Sequence, residues 1–177
     1  MKKIVAFGAS SSTCSINKKL AIYAAHHVSN AEVNVLDLND YEMPIFSVDR
    51  QDNDGFPQRA HDLKRILLAA DGIIISFAEH NGSYTAAFKN VFDWVSRFQD
   101  NVWYSNPMLL LATNDGARGA KTVLEQAHNR IARNNPYDIP SFSLPNFPKT
   151  FDENKGILDS KLETQFQNAL AVFVGQL

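Results

Sequence analysis

A single cysteine, Cys14, leaves the chain no partner for an internal disulfide. Charge of one sign is also missing: 17 Lys and Arg stand against 19 Asp and Glu, a formal net charge of -2. That balance gives no electrostatic footprint for nucleic acid. No apolar run is long enough to span a bilayer. The start, Met1-Lys2-Lys3-Ile4-Val5-Ala6-Phe7, is basic then apolar, but Gly8 and the serines after it end the run too early for a secretory core. These features lead to the expectation of a cytoplasmic protein. Neither the dinucleotide fingerprint G-x-G-x-x-G nor the P-loop G-x-x-x-x-G-K-[ST] occurs. Glu79-His80 has no second histidine or cysteine at metal spacing, so no metal site is expected.

What is present is an alternation. With 177 residues, 45% hydrophobic, the chain is expected to form one domain over 1–177 with a sizeable core. Ile4 to Phe7, Glu32 to Asp37, Asp71 to Ser76, Met108 to Ala112 and a weaker run from Tyr137 to Phe142 read as strands. Helical patterns lie between and after them: from Lys18, from Pro57, over Tyr84–Arg97, over Arg118–Arg133 and over Asp159–Val174. Leu38 to Phe56, rich in Asp, Asn, Pro and Gly, reads as a long functional loop. Strands alternating with helices predict an α/β, three-layer, flavodoxin-like fold. Its five-stranded parallel sheet has order 2-1-3-4-5, with helices on both faces. Ligands of such sheets sit at the carboxyl ends of the strands, near the switch in strand order. The loops after strands one, three and four are therefore the candidate site.

Gly8-Ala9-Ser10-Ser11-Ser12-Thr13-Cys14-Ser15-Ile16-Asn17 joins strand one to helix one. Hydroxyls and free helix N–H groups suit a phosphate, held by neutral donors because no Lys or Arg lies in the stretch. The same residues also serve as ordinary caps and turns. Phe77 to Tyr84 follows strand three; Ser83 is expected to cap helix three. Thr113 to Gly119 follows strand four and reads equally as a tight turn. Cys14 is a small loop filler, or a thiol activated at a helix N-terminus. Tyr41 and Phe46 pack the long loop onto the sheet, or reach a neighbouring subunit's site. Lys89 and Asp93 are spaced as a surface pair. Trp94, Phe98, Trp103 and Tyr104 are core, or cover a partner subunit.

These loops resemble those of the NADPH-dependent FMN reductase family, flavodoxin-fold enzymes that include quinone, chromate and azo-dye reductases. Gly8 to Asn17 is similar to its Gly-Ser-x-Arg-x-x-Ser-x-Asn loop, with Ser15-Ile16-Asn17 matching the end. Ala78-Glu79-His80-Asn81-Gly82-Ser83, running into Phe88-Lys89-Asn90-Val91-Phe92-Asp93-Trp94, resembles Pro-Glu-Tyr-Asn-Gly-Ser followed by Leu-Lys-Asn-x-x-Asp-Trp. The similarity runs from Lys3 to about Gly119, with Met43-Pro44-Ile45-Phe46 inside it. The chain departs in lacking the loop arginine, in one extra residue there, and in Ala9, Ala78 and His80 where serine, proline and tyrosine are usual.

The resemblance implies FMN across the three loops and NADPH or NADH as electron donor. The phosphate would lie on Ser10, Ser12, Ser15 and Asn17, with Ile16 between them. The ring would lie along Glu79, His80, Asn81, Gly82, Ser83 and Tyr84, with Asn114, Gly116 and Arg118 at its other edge. The redox chemistry would be the cofactor's, so no catalytic side chain is nominated. Electrons would pass to a flavin, a quinone or a similar small acceptor. A homodimer or homotetramer is implied, with no nucleic acid or membrane partner. The alternative is a flavodoxin-like FMN carrier that does not oxidise NAD(P)H; such carriers tend to be strongly acidic, and this chain is not.

Overall fold

The computed structural model describes residues 1–177 except Asp100, Val102 and Tyr104; the expectation for Tyr104 lies outside the described residues. Five strands form one parallel sheet: β1 (Lys2–Ala9), β2 (Ala31–Val35), β3 (Gly72–Phe77), β4 (Met108–Thr113) and β5 (Ser141–Leu144). Their order is β2-β1-β3-β4-β5, so the direction of winding reverses between β1 and β3. The register sets Ile4 beside Gly72, Ile74 beside Leu109 and Leu111 beside Phe142. β3 and β4 are buried along their whole length, which is why their sequences are continuous apolar runs.

Alternate side chains feed two cores. Val5, Phe7, Ile73, Ile75 and Leu110 point toward α3 (Gln58–Leu68), α4 (Ala86–Ser96) and α5 (Lys121–Ala132). Ile4, Ala6, Ile74, Leu109 and Leu111 point toward α1 (Ile16–His26) and α7 (Ser160–Val174). Trp94 and Trp103 lie inside the first core, which decides their reading. Phe98 packs on its edge, stacked on Phe56 at 4.3 Å.

Several boundaries differ from the sequence expectation, each for a local reason. The segment from Leu38 to Phe56 is not all loop. It holds a 3-10 turn (Leu38–Tyr41) and a seven-residue helix, α2 (Val48–Asp54), capped by Ser47 and ended by Gly55 at φ 75°. Tyr41 is buried and Phe46 meets Trp94 of α4 edge-on at 5.1 Å, so both pack this segment onto the first core. Ser83 does not cap α4. Thr85 does, its Oγ1 accepting from Phe88 N at 3.2 Å, because Ser83 is used to close the preceding turn. α5 begins at Lys121 rather than Arg118, since Gly119 and Ala120 are left-handed. β5 begins at Ser141, not Tyr137: Asp138 N donates instead to Gln176. After β5 come a short helix α6 (Phe147–Thr150) and a ribbon of β6 (Phe151–Asp152) and β7 (Gly156–Ile157), which the sequence reading lacked.

Candidate active site

The loops after β1, β3 and β4 meet around one hollow of about 300 Å³ at the carboxyl ends of the strands. It lies where the winding reverses, the usual ligand position in an open α/β sheet.

The first wall is built by α1. Gly8 lets helix and strand approach: a Cβ there would lie 2.5 Å from the backbone nitrogen of Lys18. Ser15, extended at φ -60° and ψ 115°, accepts from Lys18 N through Oγ at 3.1 Å and caps the helix. Ile16 and Asn17 occupy the first two helical positions, where N–H groups have no acceptor within the helix. Ser10 Oγ accepts from Ser12 N at 3.1 Å. Both serine hydroxyls still have a proton to donate.

Asn17 is 2% exposed, and its side chain is committed inward. Oδ1 accepts from Ser76 Oγ at 2.7 Å and from Thr113 N at 3.1 Å, while Nδ2 donates to Thr113 O at 3.1 Å. The sequence suggested a phosphate contact; the structure makes this amide a strap between α1, β3 and β4. Only its backbone N–H is left at the helix start.

The second wall is a reverse turn. His80 and Ser83 exchange backbone hydrogen bonds at 3.0 and 3.1 Å, with Asn81 at φ 52° and Gly82 at φ 76° between them. Two left-handed central residues are what a type I′ turn requires, and Asn-Gly is its favoured pair. Glu79 Oε2 accepts from Val123 N at 3.0 Å, in the first turn of α5. Ser83 Oγ donates to Gln126 Oε1 at 3.0 Å. The turn is thus fastened to α5 at two points. Tyr84 packs its ring against Phe77, Phe88 and Phe92 instead of lining the hollow. Thr85 Oγ1 donates to Ala9 O at 2.9 Å, joining this loop to the end of β1.

The third wall starts at Thr113. Asn114 Oδ1 accepts from Gly116 N at 3.1 Å, closing a small side-chain turn. Gly119, at φ 61°, would put a Cβ 2.3 Å from Ser143 Oγ, so only glycine fits. Arg118 turns to Thr122, with Nη2 donating to Oγ1 at 3.0 Å.

Of the residues expected at the site, Ser10, Ser12, Ser15, Ile16, Asn17, Glu79, His80 and Asn114 line the hollow. Asn81, Gly82, Ser83, Tyr84, Gly116 and Arg118 are not in its lining. The structure adds Cys14, Ala78, Thr113 and Asp115. Asp115 sits between two expected residues and could have been included on adjacency. Thr85 and the capping role of Glu79 had no sequence signal, because their partners lie 76 and 44 residues away. Among the described residues, no group of three His, Cys, Asp or Glu could hold a metal ion.

The lysines that follow the first loop face elsewhere. Lys18 Nζ binds Asp37 Oδ2 at 2.7 Å, and that hydrogen bond holds the Asp37 carboxyl below its ordinary range. Lys19 pairs with Glu153, which raises the ammonium's pKa above its usual value.

A family model described as NADPH-dependent FMN reductase matches residues 2–149. An Arabidopsis thaliana protein named NADPH:quinone oxidoreductase is 25% identical over 146 residues, covering 81% of this chain and 73% of that one. A 2-hydroxy-1,4-benzoquinone reductase from a Burkholderia species is 35% identical over 118 residues, 66% of this chain and 61% of that one. A solved flavoenzyme NAD(P)H:(acceptor) oxidoreductase from Paracoccus denitrificans superposes with a TM-score of 0.76 at 21% identity, covering 99% of this chain and 96% of that one. At that identity the shared feature is the fold. With the flavodoxin-like sheet, the hollow at its switch point and a family match over most of its length, the chain belongs to the NADPH-dependent FMN reductase family of oxidoreductases.

Proposed function

We propose that the three loops hold FMN and that the enzyme passes electrons from NADPH or NADH to a quinone, flavin or similar small acceptor. One observation carries this reading: the hollow brings hydroxyls and free α1 amides together with Glu79 and His80 of the loop after β3, on the strand ends of a family member. The donor set fits the group. The Ser10, Ser12 and Ser15 hydroxyls, with the amides of Ile16 and Asn17, would take the phosphate. Glu79 and His80, with the backbone of the Asn81–Gly82 turn, would border the ring on one side, and Asn114, with Gly116 beside it, on the other; the Tyr84 ring, the Ser83 hydroxyl and the Arg118 guanidinium are engaged elsewhere. Bound FMN supplies the hydride and electron chemistry. The protein's work is to bind and orient. The Asn17 strap fixes the first wall against the third, and Glu79 fixes the second against α5.

A homodimer or homotetramer belongs to the same reading. Its support is the exposed pair Ile45 and Val48 beside half-buried Phe46, next to a groove of about 540 Å³ along α4 and α5. Trp94 and Trp103 no longer argue for it, because they are core. No helix among the described residues is long and apolar enough to cross a membrane. We take the chain to be one FMN-binding domain and its setting to be cytoplasmic, the latter on the lone cysteine.

The test is an anaerobic visible spectrum of the protein with FMN, before and after NADPH or NADH. Bleaching of bound flavin is expected. Flavin that binds yet stays oxidised with both donors would assign the protein as a carrier.

A further inference from the structure

A quinone takes up two electrons and two hydrogens on becoming a hydroquinone, whereas NADPH or NADH delivers two electrons and one hydrogen. Each turnover therefore draws one further proton from outside the two reactants. The hollow holds few groups able to hand it over. Its hydroxyls and amides are too weakly acidic, and no Lys or Arg is in the lining. Glu79 and Asp115 are acceptors when ionised, and Glu79 is already taken up by Val123 N. Cys14 stands on the wall proposed for the phosphate. His80 remains. It lies in the loop proposed to border the ring, and histidine is the side chain that ordinarily changes charge between about pH 5 and 8. Its backbone is pinned, N–H and C=O bonded to Ser83 at 3.0 and 3.1 Å. Its imidazole is exposed and has no hydrogen-bond partner among the described residues, so it can give a proton to a ligand and regain one from solvent.

On the flavin-binding reading above, we propose that His80 is the acid that completes the reduction of a quinone. As the quinone takes two electrons and one hydrogen from the reduced cofactor, which is thereby oxidised, an N–H bond of the imidazolium breaks and an O–H bond forms at the second quinone oxygen. The imidazole is left neutral and takes its next proton from solvent. The substrate class is acceptors that must be protonated as they are reduced.

The experiment compares tetramethyl-p-benzoquinone, whose full substitution keeps it from adding to Cys14, with ferricyanide, which takes an electron and no proton. It uses the full chain loaded with FMN and a His80→Gln variant. The FMN dissociation constant of each, read by quenching of flavin fluorescence, sets a saturating level of cofactor. The quinone-to-ferricyanide ratio of kcat/KM is expected to fall at least tenfold in the variant, since general acids contribute about 10²–10⁴-fold. In the parent that ratio should decline as pH rises from about 5 to 8, because only a protonated imidazole can donate; in the variant it should stay level. A ratio that the substitution leaves unmoved, or that keeps its pH dependence in the variant, overturns the inference. A readout without turnover is the NMR signal of the His80 imidazole in the oxidised, FMN-loaded parent. It is expected to shift when the quinone is added, and an unshifted signal overturns the contact whether or not the variant folds. A parent that binds no FMN overturns the flavin site itself, so the two failures are distinguishable.

Discussion

Asn17 shows how far one side chain can serve the site without touching a ligand. Its amide answers the backbone N–H and C=O of Thr113 and the hydroxyl of Ser76, all buried. Asn17→Ala leaves those groups unpaired, at about 1–3 kcal/mol for each orphaned group before any relaxation. We expect unfolding free energy to fall by about 3 kcal/mol in urea denaturation and flavin affinity to fall with it, since the first and third walls lose their tie. A variant as stable as the parent would remove the strap from this account. Ser15 offers the opposite experiment. Asp is as good a helix cap as Ser, so Ser15→Asp keeps α1 while placing a carboxylate where the phosphate is proposed to sit. Thermal midpoint should hold, and FMN affinity should drop at least tenfold. Unchanged FMN binding would move the phosphate elsewhere. The sequence pattern Ser-x-Asn marked both residues as site residues but could not divide their roles. Asn17's partners, Ser76 and Thr113, lie 59 and 96 positions along the chain.

The same limit governs the elements. β1, β3, β4 and α7 were legible because their burial is written as an unbroken apolar run or a helical period. α2 was not: after Val48 it is polar to Asp54, and it buries none of its residues, so its composition reads as loop. The starts of α4 and α5 were misplaced because tertiary contacts set them. α5 is the clearer case. Ala120, at its cap position, is left-handed and has no side chain that can accept a hydrogen bond. Glu79 supplies the acceptor from the β3 loop. Glu79→Ala should therefore cost about 1 kcal/mol, the usual loss for a missing cap. Glu79→Gln, which keeps an acceptor oxygen, should cost less. Paired urea denaturation of the two variants measures this. Equal losses would mean that the charge, not the hydrogen bond to Val123, is what matters.

At the scale of the molecule, the segment after the family match closes the second core. Phe166, Leu170 and Phe173 of α7 cover Ile4, Ala6 and Ile74 of the sheet, and the β6–β7 ribbon lies beside them. Tyr23 of α1 holds this closure. Its ring meets Phe151 edge-on at 5.3 Å and Phe166 at 5.2 Å, and its hydroxyl donates to Glu163 Oε2 at 3.1 Å. Burial first, then the Glu163 carboxylate, pushes its pKa up to about 12. The folded state therefore prefers the protonated phenol. That preference contributes fully below the ordinary tyrosine value near 10 and is lost as pH rises from there through about 12. Tyr23→Phe keeps the ring packing and removes the hydroxyl, at about 1 kcal/mol near neutral pH. Other groups titrate in the same alkaline range, so the informative quantity is the stability gap between parent and variant. It should be constant from pH 7 to 9 and then narrow above pH 10, as ionisation favours unfolding of the parent alone. Guanidinium denaturation of both proteins across that range reads the gap directly. A gap that stays constant to pH 11 would show that the phenol ionises equally easily in both states, and that Tyr23 holds the closing helix by packing alone.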